Sequence, residues 1–300
     1  MRMTLDARQC EAFLAAAGTG SFDAAAAQLS VTPSAISQRI AALETALGAP
    51  LMIRSRPCRT TATGQRLLVH LRRSRLLEDE FLADVGEPEQ GASLQVPIAV
   101  NNDTLATWLL PGIADFLLAQ NIVLDIVLDE QNYTYALLEK GLAVVGISSE
   151  PRAMRGCSVQ PLGVMRYRML AAPSFAVRCF PDGFKLDAAK LAPVIVFSRK
   201  DLLQADFIRA EVGLLPGAYP VHYVPASEPF MAAIRLGLGY GMLPSQQYGD
   251  LLASGELVDL LPGKYTDVPL YWHAWRVQSP KLERLGAEVV AAARRVLDQA

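Results

Sequence analysis

The sequence predicts a chain of two architectures. An N-terminal all-α winged helix-turn-helix, extended by a long linker helix, precedes an α/β region of two Rossmann-like lobes. Three observations predict this. Apolar residues recur at helical spacing in three short runs between residues 5 and 48, with turn residues between them. The stretch "GEPEQGAS", residues 86–93, has two Gly, one Pro and no apolar run, and reads as a linker. Beyond it, β-rich runs alternate with helical ones, the pattern of a parallel sheet.

The first run, "LDARQCEAFLAAAGTG", is an apolar-periodic helix closed by Gly18 and Gly20. "SFDAAAAQLS" follows, with Ser21 as N-cap and Asp23 in the first turn, where negative charge suits the helix dipole. The third, "LSVTPSAISQRIAALETALG", has Thr32 as cap and Pro33 at the first helical position. Ile36, Ile40, Leu43 and Leu47 share its inner face, while Ser34, Gln38, Ala41 and Thr45 lie opposite, with Ser37 on the flank. A solvated helix ordinarily carries Lys and Glu on its outer face. This one carries small and hydrogen-bonding groups, which suits close approach to double-stranded DNA. Ser34, Ser37 and Gln38 are expected to read base edges in the major groove. Thr32, Pro33 and Arg39 would lie at the same interface, Arg39 on the phosphates. In "APLMIRSRPCRTT", a strand-like run precedes Arg54, Arg56 and Arg59 around Pro57, as in a wing that holds the DNA backbone.

Charge supports that reading. Residues 1–75 hold ten Arg against four carboxylates, a net +6, while the remainder carries −8. A basic segment on an acidic body marks a local polyanion site. From Thr61 a long helix begins, on which Leu67, Leu71, Phe81, Leu82 and Val85 share one face. A second copy of the same helix would cover that face by isologous packing, so a homodimer is expected, with a tetramer left open. The divisions are 1–62 for the winged helix-turn-helix, 63–91 for the linker and dimerisation helix, and 92–300 for the α/β region. Within the last, one lobe takes 92–162 and 268–300, the other 163–267.

In the α/β region, "SLQVPIAV", "IVLDIVLD" and "AVVGIS" form one β-α-β-α-β set. A second set, "RYRMLAA", "PVIVF", "VHYVP" and "GLGYGMLP", is expected to be interleaved with helices before "VPLYWHAWR" returns as a strand. Two such lobes invite a ligand at the strand C-termini. Asn102, Asp103 and Thr104 open a helix there, where free amides suit a carboxylate and Asp103 suits an ammonium; a simple N-cap is the competing reading. Asp129 and Glu130 end the next strand and could pair with a ligand cation. Ser227 and Glu228 start another helix, Glu228 being a second candidate for an ammonium, and Ser148 and Ser198 follow strands.

The residues also resemble a known family. "FLAAAGTGSFDAAAAQLSVTPSAISQRIAALETALGAPLMIRS" and "TATGQRLL" are similar to the helix-turn-helix and wing signature of LysR-type transcriptional regulators. "NNDTLATWLLP", "SEPF", "ASGELVDLLPG" and "LYWHAW" resemble the branch controlling export of arginine and lysine. The resemblance implies a two-lobed effector domain of the periplasmic-binding-protein type, no cofactor, and lysine, arginine or histidine as effector. It also implies control of an exporter gene, with RNA polymerase as a partner such a regulator could contact. The loops "QNYTYALLEKG" and "FSRKDLLQADF" depart from the family's pattern.

Other classes fare poorly. His70, His222 and His273 are scattered, and no H-E-x-x-H, G-x-S-x-G or clustered metal spacing occurs, so neither catalysis nor a metal is expected. "GLGYG" follows a helix and precedes "MLP", so it reads as a turn into a buried strand. Cys10, Cys58, Cys157 and Cys179 have no C-x-x-C pair, and no apolar window reaches membrane length, which predicts a cytoplasmic chain with no membrane partner. An effector-independent architectural or replication-origin-binding protein, whose C-terminal half only oligomerises, is the alternative.

Overall fold

The computed structural model describes residues 5–85, 93–129 and 134–299. The chain divides into two compact units, Met1–Val96 with Ala136–Val144 and Pro97–Tyr135 with Val145–Ala300.

In the first unit, α1 (Ala7–Thr19), α2 (Phe22–Gln28) and α3 (Pro33–Leu47) pack around Phe13, Ala16, Ile36, Ile40 and Leu43. The caps are those the sequence signals. Ser21 Oγ accepts from Ala24 N at 3.3 Å and Thr32 Oγ1 from Ala35 N at 3.2 Å, with Pro33 opening α3. Gly20 ends α1 with φ +68°, and a Cβ there would stand 3.2 Å from Pro57 Cβ, so the wing lies against this turn. The wing is the antiparallel pair β1 (Met52–Ile53) and β2 (Arg59–Thr60). Glu44 on α3 accepts from Leu51 N at 2.7 Å and Met52 N at 3.1 Å. Its charge is thus engaged with the wing backbone and not with the arginines.

Helix α4 (Ala62–Val85) starts where Thr61 Oγ1 accepts from Gly64 N at 3.0 Å. Gly64 must be glycine, because a Cβ would fall 2.0 Å from Leu51 O. The apolar face expected along α4 is split. Leu67 and Leu71 pack against the helix-turn-helix core, whereas Phe81 and Leu82 are 63% and 55% exposed. The reason is that the first turns of α4 lie on α1, so half of the stripe already has a partner within the chain. The side chain of Val85 lies outside the described residues.

The second architecture runs β3 (Leu94–Val100), α5 (Asn102–Thr104), a π-helical turn (Leu105–Leu109), α6 (Leu110–Ala119), β4 (Ile122–Leu128), α7 (Thr134–Glu139) and β5 (Val145–Ser148). It continues through β6 (Cys157–Ala171), α8 (Pro173–Cys179), α9 (Leu186–Leu191), β7 (Val194–Val196), α10 (Leu203–Val212) and β8 (Val221–Tyr223). It closes with α11 (Ser227–Arg235), β9 (Gly241–Pro244), α12 (Ser245–Ala253), β10 (Val258–Asp259), β11 (Thr266–Trp275) and α13 (Pro280–Val296). The main sheet has the order β10-β6-β11-β5-β3-β4, with β9 also on β6. β3 and β5 are parallel, as the alternation predicts.

One expectation is corrected. "RYRMLAA" does not open a separate parallel set; it is the end of a 15-residue strand, β6, antiparallel to β11 along the whole of β11. Pro161 and Gly163 interrupt the alternation of β6, which hides its first half from a periodicity search. Gly163 has φ +139°, and the pairing register shifts between Leu270 and Tyr271. β7 and β8 form a small parallel sheet, and the "GLGYG" turn leads into the fully buried β9. None of the four cysteines forms a disulfide, and three of them are buried. Among the described residues no helix is long and apolar enough to cross a membrane.

Candidate functional site

Two surfaces combine the chemistry a function needs. On the first unit, α3 exposes Ser34 and Gln38, with Ser37 and Arg39 partly covered at the edges. Thr32 and Pro33 are exposed at the start of the helix, the Thr32 hydroxyl being held by its cap. A concave surface runs from Pro33 and Ser37 to Arg54, Ser55 and Arg56 on the wing. The Arg54 guanidinium lies 5.9 Å from the Phe22 ring centroid, a contact that orients the arginine and leaves its N–H groups for an anion. Arg56 and Arg59 are exposed beside it. An uncharged helix face flanked by arginines can enter a groove about 12 Å wide while the guanidiniums meet phosphates.

The second surface is a small cavity within the second unit, with a volume of about 30 Å³. Asn101, Asn102 and Asp103 enter it where β3 gives way to α5, and α5, the π-helical turn and α6 form one continuous rod behind them. Tyr167 comes from β6, Asp201 and Gln204 from the start of α10, and Gln247 from α12. The Tyr167 hydroxyl donates to Asp103 Oδ2 at 2.9 Å and the Ser227 hydroxyl to Oδ1 at 2.8 Å. Gln247 Nε2 in turn donates to Ser227 Oγ at 2.8 Å. Burial pushes the Asp103 carboxyl above its ordinary range, partly offset by the bonds from Ser227 and Tyr167. Burial also raises Asp201, against the backbone bonds from Leu203 and Phe197 that lower it, and the Asp103 charge adds to the rise. Among the described residues lining the cavity there is no lysine, arginine or histidine.

The residues nominated from strand ends divide into two groups. Asn102, Asp103 and Ser227 meet at the cavity wall, with Thr104 fully buried beside Asp103 in the chain. The others are engaged elsewhere. Asp129 is paired with Lys200 at 2.9 Å. Ser148 Oγ lies 3.1 Å from His273 Nε2 and accepts from Glu150 N. Ser198 accepts from Lys200 N in a turn, and Glu228 is exposed in the first turn of α11. Glu130 lies outside the described residues. Asp129, Ser148 and Ser198 do lie at or just beyond strand ends, but local pairing decides where each side chain points.

Tyr167, Asp201, Gln204 and Gln247 escaped the sequence reading. A signal for two of them was present: "DLLQ" before an apolar-periodic run has the form of a capping box, an acid followed three residues later by Gln. The three histidines are apart, as their spacing predicts. His70 and His222 are exposed, while burial lowers the pKa of His273, against the bond to Glu150 O that raises it.

Comparison with known proteins identifies both parts of the chain. Residues 7–65 match the bacterial regulatory helix-turn-helix proteins of the lysR family, and residues 89–294 match the LysR substrate binding domain. The chain is 39% identical over 276 residues to the HTH-type transcriptional regulator ArgP of Aeromonas salmonicida, covering 92% of each. It is 40% identical over 292 residues to the HTH-type transcriptional regulator LysG of Mycobacterium bovis, covering 96% of this chain and 94% of that one. The crystal structure of ArgP from Mycobacterium tuberculosis superposes with a TM-score of 0.85 at 39% identity, over 99% of this chain and 100% of that one. Full-length LysG from Corynebacterium glutamicum with bound effector Arg gives 0.79 at 34% identity, over 98% and 100%. A winged head with a DNA-facing helix and a ligand-binding domain, matched along nearly its whole length, thus make this chain a member of the LysR family of DNA-binding transcriptional regulators, related to ArgP and LysG, and not an enzyme.

Proposed function

We propose that this protein is a cytoplasmic regulator that controls an amino-acid exporter gene in response to a basic amino acid. The observation that carries the reading is the Asp103 carboxylate, held at the cavity by Tyr167 and Ser227 with no cation among the lining residues. A carboxylate kept in low dielectric without a counter-charge is costly, and a ligand ammonium supplies the missing charge. The amides of Asn102 to Thr104, at the start of the rod, would take the ligand carboxylate. Asp103 therefore replaces Glu228, which is exposed, as the group for the α-ammonium. The relative LysG, with its bound effector Arg, points to the same ligand class. A module that only oligomerised would have no use for such a cavity, which weighs against the architectural alternative.

The DNA contacts proposed are Ser34, Ser37 and Gln38 on bases, and Arg39, Arg54, Arg56 and Arg59 on the backbone, with Thr32 and Pro33 setting the approach of α3. Dimerisation would use the exposed part of α4, Phe81 and Leu82, with Leu67 and Leu71 contributing from within the head core. A dimer would meet two half-sites, and RNA polymerase would be recruited or excluded from there.

Three measurements test this. In a thermal melt, arginine, lysine or histidine at 100 times its dissociation constant adds about 2.7 kcal/mol, a rise of about 5–10 °C for a domain of this size, while leucine adds none. Equal shifts with leucine would remove the basic-amino-acid reading. Gln38→Ala changes the preference among DNA sequences by about 1–3 kcal/mol, whereas Arg54→Ala weakens all sequences alike and lowers the salt slope by about 0.9. Retained preference in Gln38→Ala would move base reading off this face. Finally, Phe81→Glu with Leu82→Glu leaves the melting temperature of the head unchanged but yields monomers in sedimentation. A double variant that stays dimeric would place the interface elsewhere.

A further inference from the structure

The cavity holds a second carboxylate that the strand-end positions did not nominate. Asp201 Oδ1 accepts from Leu203 N at 3.0 Å; Oδ2 accepts from Phe197 N at 3.2 Å and from Gln204 Nε2 at 2.8 Å. These bonds fix more than the carboxylate. With Nε2 committed to Asp201, the amide of Gln204 can turn only one way, and its Oε1 is left over. Gln204 is 2% exposed, and Oε1 has no hydrogen-bond partner among the described residues. Asn101, also 2% exposed, leaves its Oδ1 in the same condition. Both residues line the cavity.

The unpartnered acceptors there are therefore the two amide oxygens, and beside them stand two carboxylates whose oxygens already accept hydrogen bonds but which face no cation among the described lining residues. Native proteins rarely leave buried acceptors unmatched, so each of these oxygens calls for a donor from a ligand or an ordered water. The partner required is a dense cluster of N–H donors with positive charge. The nearest cation along the chain, Lys200, does not supply it, since its Nζ is bonded to Asp129 at 2.9 Å. That pair also removes Asp129 as a counter-charge for a ligand. Asp103 and Asp201 act unfavourably on one another, and a cation between them would relieve both.

We propose that Asp201, together with Gln204 Oε1, is the subsite for the side-chain cation of the ligand, and that it sets selection for arginine and lysine over neutral amino acids of equal length. The proposal rests on the basic-amino-acid reading above, and assigns to Asp201 the role expected of Asp129 or Glu130. A guanidinium offers five donors in a plane, enough to meet the carboxylate and the amide oxygen together. A lysine ammonium, with three donors, meets the same pair through fewer bonds. A leucine side chain would leave the amide oxygens unmatched and the carboxylates without a counter-charge.

The test is calorimetry on the full-length chain with L-arginine and L-citrulline, which share a chain length but differ in the charge of the head group. The wild-type chain is expected to prefer arginine by about 100-fold. Asp201→Asn brings the two ligands to within about 5-fold, mainly by losing arginine. Because Asp201 also caps backbone amides, Gln204→Leu serves as a second variant that leaves those caps intact. It is expected to keep the wild-type melting temperature and lower the preference about 10-fold. If Asp201→Asn does not fold, Gln204→Leu decides alone. An unchanged preference in the folded variants, with collapse instead in Asp129→Asn, overturns the assignment while leaving the effector class intact. A wild-type chain that binds neither arginine nor lysine overturns the effector reading itself.

Discussion

The ligand half of the molecule is organised around the Asp103 carboxylate. Its two oxygens take hydroxyl donors from different parts of the fold, Tyr167 on β6 and Ser227 at the start of α11. Through Ser227 the chain of bonds reaches Gln247 on α12. Hydroxyls solvate a carboxylate without neutralising it, so the ionised form meets no positive charge among the described residues lining the cavity, and burial favours its protonated form. With its carboxyls held above their ordinary range, the empty fold loses stability as pH rises through their raised values, because the unfolded chain ionises them more readily. A site that is stable but not content without ligand is what ligand responsiveness requires. A cation must favour one arrangement of the cavity over another, and 1–3 kcal/mol of such preference is typical of allosteric coupling.

The head applies the reverse logic. The outer face of α3 itself carries no carboxylate: Glu44 is tied to the wing backbone, Asp6 lies at the start of α1, and Asp23, at the start of α2, stands at the edge of the concave surface. What remains is an uncharged helix face with arginines beside it. Close packing maintains that geometry, with Gly64 against Leu51 and Gly20 against Pro57. In the DNA contacts proposed, sequence reading would belong to short side chains on a rigid helix, and affinity to charges on the wing.

The head was legible because its signals are local. Thr32, Pro33 and Gly48 announce α3 whatever else the chain does, and the 3.6-residue stripe of Ile36, Ile40 and Leu43 names the buried face. The ligand cavity was legible only in part. Asp103 could be found, since a strand end opening a helix is a local pattern. Asp201 could not be assigned a role, because its importance comes from lying near Asp103, 98 positions away in the sequence, through a fold whose long β6 was itself hidden by Pro161 and Gly163. Asp129 misled for the same reason: its partner, Lys200, is 71 positions distant. Helix α4 shows the limit of periodicity, which identifies an apolar face but not whether the chain or a second copy covers it.

The central claim is that the cavity is a charge awaiting its counter-ion, and proton exchange on binding tests it most directly. The groups concerned are Asp103 and Asp201, with the Tyr167 hydroxyl facing them and Lys200 held by Asp129 nearby. A bound cation stabilises both carboxylates, lowers their pKa values and so expels protons held in the empty state. Titrating arginine into the protein in two buffers of different ionisation enthalpy gives the number of protons exchanged. The account predicts net release that grows as the pH is lowered toward the raised values of the two carboxyls. Binding with no proton exchange, or with uptake, would contradict it.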